Sequence, residues 1–424
     1  MEKIVISGPS NLFGSVKISG MKNAAVAVLF ATITVNDECI IDNLPDISDV
    51  NLSLKLLENM GAIVVKLSDT KYKIDTRTIT TITAPVEEAG KMRASYYIAG
   101  ACLSRFGVCK VGLPGGCDFG SRPIDQHIKA FEAMGAKVRI DEGYIDASAV
   151  NGMREANIYF DCVTVGGTIN AILAAVRNDG LTIIDNAARE PHIVDLANFL
   201  NFCGADITGA GTDTIKIKGQ KQLHGCEYTI IPDMIEAGTF MIAAAATGSE
   251  IMIENIIPKH LESMTSKLSE TGIRFEEGDE TLLVCKRTVP LRPVNVKTLP
   301  YPGFPTDMNP QTAVLLCCIN GISRINETIF NDRFRYVNEL RRMGAIIDID
   351  NGIATIKGGI PLKAASVRAV DLRAGAAMVL AGLVAEGNTS IDDIFYIERG
   401  YDSIVEKLAS LKAIIKRVKI QDIT

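Results

Sequence analysis

LSLKLLENMGAIV (Leu52–Val64), HIKAFEAMGAKV (His127–Val138), DLANFLNFCGADI (Asp195–Ile207), LESMTSKLSETGIRF (Leu261–Phe275), VNELRRMGAII (Val337–Ile347) and SIVEKLASLKAII (Ser403–Ile415) are one pattern written six times. In each, a helical stretch ends at a turn residue and a strand follows. The turn residue is Gly61, Gly135, Gly204, Gly272 and Gly344, then Lys412 in the last copy, at spacings of 74, 69, 68, 72 and 68. A fixed period of this kind is the mark of a repeat architecture and outranks any local reading. Glycine suits the turn because helices commonly end on a residue at positive φ, which glycine adopts without a Cβ clash. Lys412 lacks that freedom, so the last helix is expected to be capped less well.

Each unit holds an earlier, alanine-rich helix: Ala24–Thr32, Ala94–Arg105, Thr168–Arg177, Ala237–Ala246, Thr312–Ile319 and Ala374–Ala385. These are apolar nearly all round and should be buried. Short strands follow at Cys39–Asn43, Val108–Leu113, Leu181–Asn186, Glu250–Asn255, Ile322–Glu327 and Thr389–Asp393. A unit therefore reads helix, strand, helix, strand, strand, which is an α/β class. The sixth unit runs out of chain, while the N-terminus has two spare strands, Lys3–Ser7 and Gly14–Ser19. The economical arrangement has the N-terminus complete the last unit. Six units with buried inner helices do not share one core readily, and two three-unit globules match ordinary domain sizes. The expected division is residues 22–231 against residues 1–21 plus 232–424, with a cleft between them.

Composition narrows the function classes. The 424 residues are 47% hydrophobic and 22% charged, with a net charge of −6. That balance gives no reason to expect nucleic acid or an anionic membrane as the main partner. The longest clean apolar run, Ala374–Ala385, has 12 residues, too short to span a bilayer, and Met1–Ser10 has no signal-peptide character. The ten cysteines lack C-x-x-C spacing and the four histidines form no ligand-spaced pair, so no metal site is expected. Cys39, Cys102, Cys109, Cys203 and Cys285 sit in apolar runs and read as small core residues, in a reducing cytoplasm.

Repeated units place equivalent positions in equivalent directions. At or just before the inner helices stand Lys22, Arg93, Thr164–Val165–Gly166, Asp233, Asp307 and Asp371/Arg373. Ahead of the second helices stand Arg122, Arg189, Arg333 and Arg399. Helix starts carry orphan N–H groups and partial positive charge, so added cations there suit a multiply charged anion. Surface salt bridging explains the same residues one at a time. Leu113–Asp125 (LPGGCDFGSRPID) puts Cys117 in a glycine-rich loop beside Arg122 and Pro123. Such surroundings lower a thiol pKa; the thiol reads as a nucleophile or proton donor, or as an incidental surface group. In Leu299–Pro310 (LPYPGFPTDMNP), Asp307 could be a helix N-cap or a general base. Neither P-loop nor dinucleotide-binding glycine spacing occurs.

ISGMKNAA (Ile18–Ala25), KMRASYYIAG (Lys91–Gly100), LPGGCDFGSRPIDQHI (Leu113–Ile128), VTVGGTIN (Val163–Asn170), FPTDM (Phe304–Met308), AVDLRAGAA (Ala369–Ala377) and IERGYDSIVEKL (Ile397–Leu408) closely resemble the enolpyruvyl transferases. The resemblance runs the length of the chain. It implies two inverse α/β barrels, each of three βαβαββ units. It also implies transfer of the enolpyruvyl group of phosphoenolpyruvate to the 3-hydroxyl of UDP-N-acetylglucosamine, the first committed step of peptidoglycan precursor synthesis, with no cofactor. On this resemblance Lys22, Asn23, Arg122, Asp371, Arg373 and Arg399 would hold phosphoenolpyruvate. Asn23, Arg93, Arg122, Pro123, Ile124, Asp125, Gln126, Val163, Thr164, Val165, Gly166, Asp307 and Ile329 would bind the UDP-sugar. Asp307 would take the hydroxyl proton. Cys117 would protonate the methylene carbon and be the target of fosfomycin, and its loop would act as a lid. The shikimate-pathway members share the fold without the Cys117 loop. They are the alternative, with an inactive UDP-sugar-binding paralogue behind them. Ser48 stands where many members carry lysine.

Overall fold

The computed structural model describes residues 2–113, 115 and 123–419. The chain divides into two compact units, one running from Gly20 to Ile231 and the other combining the segment up to Ser19 with the segment from Pro232 onward. Each unit is built the same way: three four-stranded sheets and three inner helices that pack on one another.

The inner helices of the first unit are Lys22–Val35, Tyr97–Phe106 and Val165–Ala175; those of the second are Met234–Thr247, Asn309–Cys317 and Leu372–Val384. They are buried almost throughout: every residue from Ala24 to Val35, and every one from Leu372 to Leu383. Small residues make that burial possible. A Cβ on Gly100 would stand 2.6 Å from the Asn170 carbonyl oxygen of the neighbouring helix, a distance no side chain tolerates. All six begin two or three residues away from the sequence expectation. The second starts at Tyr97, after a 3-10 turn at Arg93–Tyr96, and the fifth starts at Asn309, because Pro310 fits a first helical turn.

The sheets share one order. In the strand set Glu227–Thr229, Glu38–Asp42, Tyr72–Asp75, Ile63–Lys66, the first pair is parallel and the other two are antiparallel. In four sheets the leading strand, just ahead of an inner helix, pairs parallel with the strand after that helix, a βαβ crossover; in this sheet and in that of Glu250–Glu254 the leading strand comes from elsewhere in the chain. These leading strands, such as Thr83–Ala84, Asn157–Tyr159 and Asn295–Lys297, are two or three residues long. They escape a sequence reading because so few residues show no alternation. The chain ends fill the remaining gaps. Glu2–Gly8 lies between Gly387–Asp392 and Ile414–Lys419, while Phe13–Lys17 leads the sheet of Glu250–Glu254. The two spare strands therefore serve different units: the first enters the sixth unit's sheet and the second enters the fourth's.

A second recurring device follows the post-helix strands. Asn43, Asn186 and Asn255 each take positive φ (58°, 56° and 58°). Each donates its side-chain amide to a main-chain oxygen just beyond the leading strand: Ile230, Phe160 and Ile18. Asparagine tolerates this conformation and bonds locally.

The turn glycines take the expected conformation, with φ of 107°, 95°, 94°, 101° and 91°, and Lys412 follows them at 74°. The expectation of a poorer last cap is corrected here. Lys412 N donates to Ala409 O at 2.9 Å and Ala413 N to Leu408 O at 3.0 Å, matching Gly344 to Arg341 and Ala345 to Leu340. The sixth turn keeps its hydrogen bonds and bears its cost in φ. Of the five cysteines expected in the core, four are buried, but Cys285 is half-exposed beside Glu276 on a sheet surface. Among the described residues no helix is long and apolar enough to cross a membrane.

Left-handed backbone costs a residue with a Cβ about 1–2 kcal/mol. Lys412→Gly should therefore raise the thermal midpoint, by about 1 kcal/mol of stability after glycine's added chain entropy. Gly344→Ala, where an added Cβ meets nothing within 4 Å, should lower it by a similar amount. Calorimetry of both variants checks this, and a Lys412→Gly protein that melts earlier would contradict it.

Candidate functional site

Burial of the inner helices leaves their first turns as places where polar groups gather, and Lys22, Asn23, Arg93, Thr164, Asp307, Asp371 and Arg373 stand at or just before them. Lys22 opens the first inner helix. Its Nζ lies 2.8 Å from Asp49 Oδ2, with side-chain exposures of 14% and 5%. Asp49 sits in the first turn of the outer helix Ser48–Met60, where the helix dipole favours a carboxylate. Asn23 follows at half-exposure, and Ser48 is exposed.

Arg93 begins the 3-10 turn, with its guanidinium carbon 5.5 Å from the centre of the Tyr96 ring, a cation–π distance. Tyr96 meets His127 edge to face at 4.5 Å. His127 Nδ1 lies 3.0 Å from the side-chain nitrogen of Asn170, which donates, so Nδ1 accepts and the ring is neutral. Burial, then the charge of Arg93, pushes the His127 pKa down to about 3. The start of the third inner helix leans on this stack. A Cβ at Gly166 would stand 2.3 Å from Tyr96 Oη and 2.9 Å from His127 Cε1, so only glycine fits. Thr164 caps that helix by accepting from Gly167 N at 3.2 Å. Gln126 accepts from Asp161 N at 3.0 Å and donates to Asp125 and Asp161 carboxylates. Arg93, Asp125, Gln126 and the Thr164–Gly166 segment therefore form one cluster. Val163 and Pro123 are exposed beside it and Ile124 half-exposed. Cys117 and Arg122 lie outside the described residues, as does most of the expected lid.

In the other unit, Asp307 sits in the 3-10 turn Thr306–Met308, before the helix Asn309–Cys317. Its carboxylate caps neither element. Arg373 reaches Asp307 Oδ2 through both Nε and Nη2 at 3.1 Å, and Arg333 Nη2 stands 3.5 Å from Oδ1. The arginine side chains are 4% and 0% exposed, and that of Asp307 is 32% exposed. Two buried guanidinium groups thus present one carboxylate to solvent. Arg333 also donates to Thr306 O at 3.2 Å, so both sides of the turn are held. Arg373 lies 5.2 Å from the Tyr401 ring centre. Burial works against its charge, but Tyr401, Asp307 and Asp233 outweigh burial and hold its pKa above the ordinary arginine range. Asp371 is the N-cap of the helix carrying Arg373, accepting from Arg373 N at 2.8 Å and Ala374 N at 2.9 Å. Ile329 N donates to Glu327 Oε1 at 2.9 Å, and Thr306 and Asn309 donate to Oε2 of the same carboxylate. Arg399 ends the 3-10 helix Ile394–Arg399 at half-exposure.

The row of arginines ahead of the second helices splits. Arg333 is part of the Asp307 clamp, whereas Arg189 pairs with Asp213 at 3.0 Å on the surface, the bland alternative for that position. Sequence reading missed Asp49, Glu327, Tyr401 and the Tyr96–His127–Asn170 stack. Among the described residues no group of three or more His, Cys, Asp and Glu side chains forms a metal site.

Residues 6–408 match the family described as EPSP synthase (3-phosphoshikimate 1-carboxyvinyltransferase). A Caldanaerobacter subterraneus protein named UDP-N-acetylglucosamine 1-carboxyvinyltransferase 3 is 52% identical over 99% of this chain and 100% of its own. A Bacillus subtilis protein, UDP-N-acetylglucosamine 1-carboxyvinyltransferase 2, is 49% identical over 100% and 98%. Among solved structures, an enolpyruvyl transferase from Streptomyces tendae superposes with a TM-score of 0.89 at 26% identity, covering 99% of both chains. An Acinetobacter baumannii EPSP synthase gives 0.77 at 16% identity, covering 99% of this chain and 100% of that one, a likeness of fold alone.

A histidine normally loses its proton near pH 6.5. With a folded value near 3, His127 favours the fold fully above about 6.5. That stability is lost as pH falls toward the folded value, because the unfolded chain binds the proton first. NMR of the His127 ring should show no titration between about pH 8 and 5; a midpoint near 6.5 would mean the stack is open to water.

Proposed function

We propose, because the chain belongs to the EPSP synthase family, that it transfers the enolpyruvyl group of phosphoenolpyruvate to the 3-hydroxyl of UDP-N-acetylglucosamine. The observation that carries the choice of acceptor is the near-half identity, over full length, to curated relatives bearing that activity in their names.

The chemistry asks for an acid, a base and a cradle for charge. An enol phosphate is a weak electrophile until its methylene carbon gains a proton. Cys117 is the donor in this reading: an ordinary thiol, with a pKa near ~8.5, is largely protonated at neutral pH. The sugar oxygen then attacks the adjacent carbon as its proton passes to Asp307. In the second half the methyl group returns a proton, the carbon–phosphate oxygen bond breaks, and inorganic phosphate leaves. Lys22, Arg122 and Arg399 hold the phosphoenolpyruvate charges and stabilise the departing phosphate, with Arg373 and Asp371 nearby. The Asp307 clamp supports its assignment: the buried Arg333 and Arg373 fix the carboxylate in place while its side chain stays part-exposed. Asp371 acts through the helix start it caps, by setting where Arg373 begins.

For the UDP-sugar, the reading uses Asn23, Arg93, Arg122 to Gln126, Val163 to Gly166 and Ile329. The packing of Gly166 against Tyr96 and His127 supports it by fixing the start of the third inner helix, whose N–H groups suit a charged ligand group.

Phosphate release from phosphoenolpyruvate distinguishes the acceptors. The expected result is release with UDP-N-acetylglucosamine, none with shikimate 3-phosphate, and loss of activity after fosfomycin. Release with shikimate 3-phosphate alone would keep the fold and overturn the acceptor. Binding of the UDP-sugar without release would make the chain a non-catalytic relative.

A further inference from the structure

Three thiols meet in the unit running from Gly20 to Ile231, and none belongs to a residue given a role above. Cys39 lies in the strand Glu38–Asp42, Cys203 ends the outer helix Pro191–Phe202, and Cys226 immediately precedes the strand Glu227–Thr229. The sulfurs of Cys203 and Cys226 are 3.4 Å apart, and the Cys39 thiol also interacts with Cys203. Cys39 and Cys203 are buried; Cys226 is half-exposed.

The backbone holds this pair from several sides. His224 N donates to Cys203 O at 2.9 Å, and Ile40 N donates to Cys226 O at 2.9 Å. Gly225 N donates to the Asp37 carboxylate at 2.9 Å. The two sulfurs are therefore neighbours because of fixed main-chain bonds, and only a small movement separates their contact from a covalent bond.

We propose that Cys203 and Cys226 are a site of reversible oxidation, closing to a disulfide under a two-electron oxidant such as hydrogen peroxide. Cys226 reacts first, because solvent reaches it. The Cys203 thiol donates toward it, which holds the Cys226 pKa below the ordinary thiol value, and the thiolate is the reactive form. The Cys226 sulfur attacks one peroxide oxygen and the O–O bond breaks. Hydroxide leaves and is protonated to water, and Cys226 becomes a sulfenic acid. The Cys203 sulfur then attacks the Cys226 sulfur, the S–O bond breaks, and the departing hydroxide takes the Cys203 proton as a second water. Two thiols lose two electrons in all and one peroxide gains them. Cys39, fully buried, is kept from the oxidant.

The bond would join the outer helix of the third repeat to the leading strand of the first sheet, the segment through which the chain completes this unit. Crosslinks of this kind restrain the unfolded chain, so the oxidised protein should melt later than the reduced one.

The test is peptide mapping by mass spectrometry of the full-length protein, treated with hydrogen peroxide and then alkylated, alongside calorimetry with and without a thiol reductant. Activity is not the readout, because Cys117 would respond to the same oxidant. The expected result is a linked Cys203–Cys226 peptide pair that disappears on reduction, and a midpoint that drops with it. Cys226→Ser should abolish both. Recovery of Cys203 and Cys226 alkylated separately, a Cys39–Cys203 link as the main product, or a reductant-dependent midpoint shift that persists in Cys226→Ser would each overturn the proposal.

Discussion

A helix buried on every side can show solvent little beyond its first turn, and this constraint organises the molecule. The six inner helices are built from alanine, glycine and aliphatic residues because they must pack on one another. Their sides have no room for chemistry. Their starts have exposed backbone N–H groups and partial positive charge, and at those starts stand Lys22, Arg93, Thr164, Asp233, Asp307 and Asp371. The same position answers different needs. Thr164, Asp233 and Asp371 cap their helices, while Asp307 gives up capping to meet two arginines.

The repeat also fixes how the chain must run. Each sheet needs a leading strand parallel to the strand after its inner helix. Two sheets exchange theirs: Phe13–Lys17, just ahead of the first inner helix, leads the fourth sheet, and Glu227–Thr229, just ahead of the fourth inner helix, leads the first. These borrowed strands explain why each unit's sheets are completed by residues distant in sequence. They also place Cys226 beside Cys203 at one such closure.

The parts of this architecture carried by a period were open to reading. Turn glycines every seventy residues or so, alanine-rich helices and six post-helix strands each repeat often enough to be seen in one sequence. Lys412 shows the limit of that reading: the turn is kept against the residue's own preference, because the packing of Leu408 and Leu411 and the two turn hydrogen bonds outweigh a cost of about 1–2 kcal/mol. Leading strands of two or three residues carry no pattern. Partner residues were equally invisible. Asp49 opposite Lys22, Glu327 beneath Thr306, and Tyr401 beside Arg373 are long-range neighbours, joined by topology and by no local spacing. Arg189 and Arg333 stand at equivalent places in their repeats, yet one is a surface ion pair with Asp213 and the other a fully buried support of Asp307.

In the proposed reaction the clamped, part-exposed Asp307 carboxylate takes the proton of the attacking hydroxyl. Separate measurement of kcat and of UDP-N-acetylglucosamine affinity for Asp307→Asn tests it most directly, since the amide keeps size and one acceptor oxygen but cannot take the proton. General-base removal should lower kcat by roughly 10²–10⁴-fold, with sugar binding changed only a few-fold. A variant that keeps kcat within a few-fold of the parent while losing affinity would make Asp307 a binding residue and contradict the account.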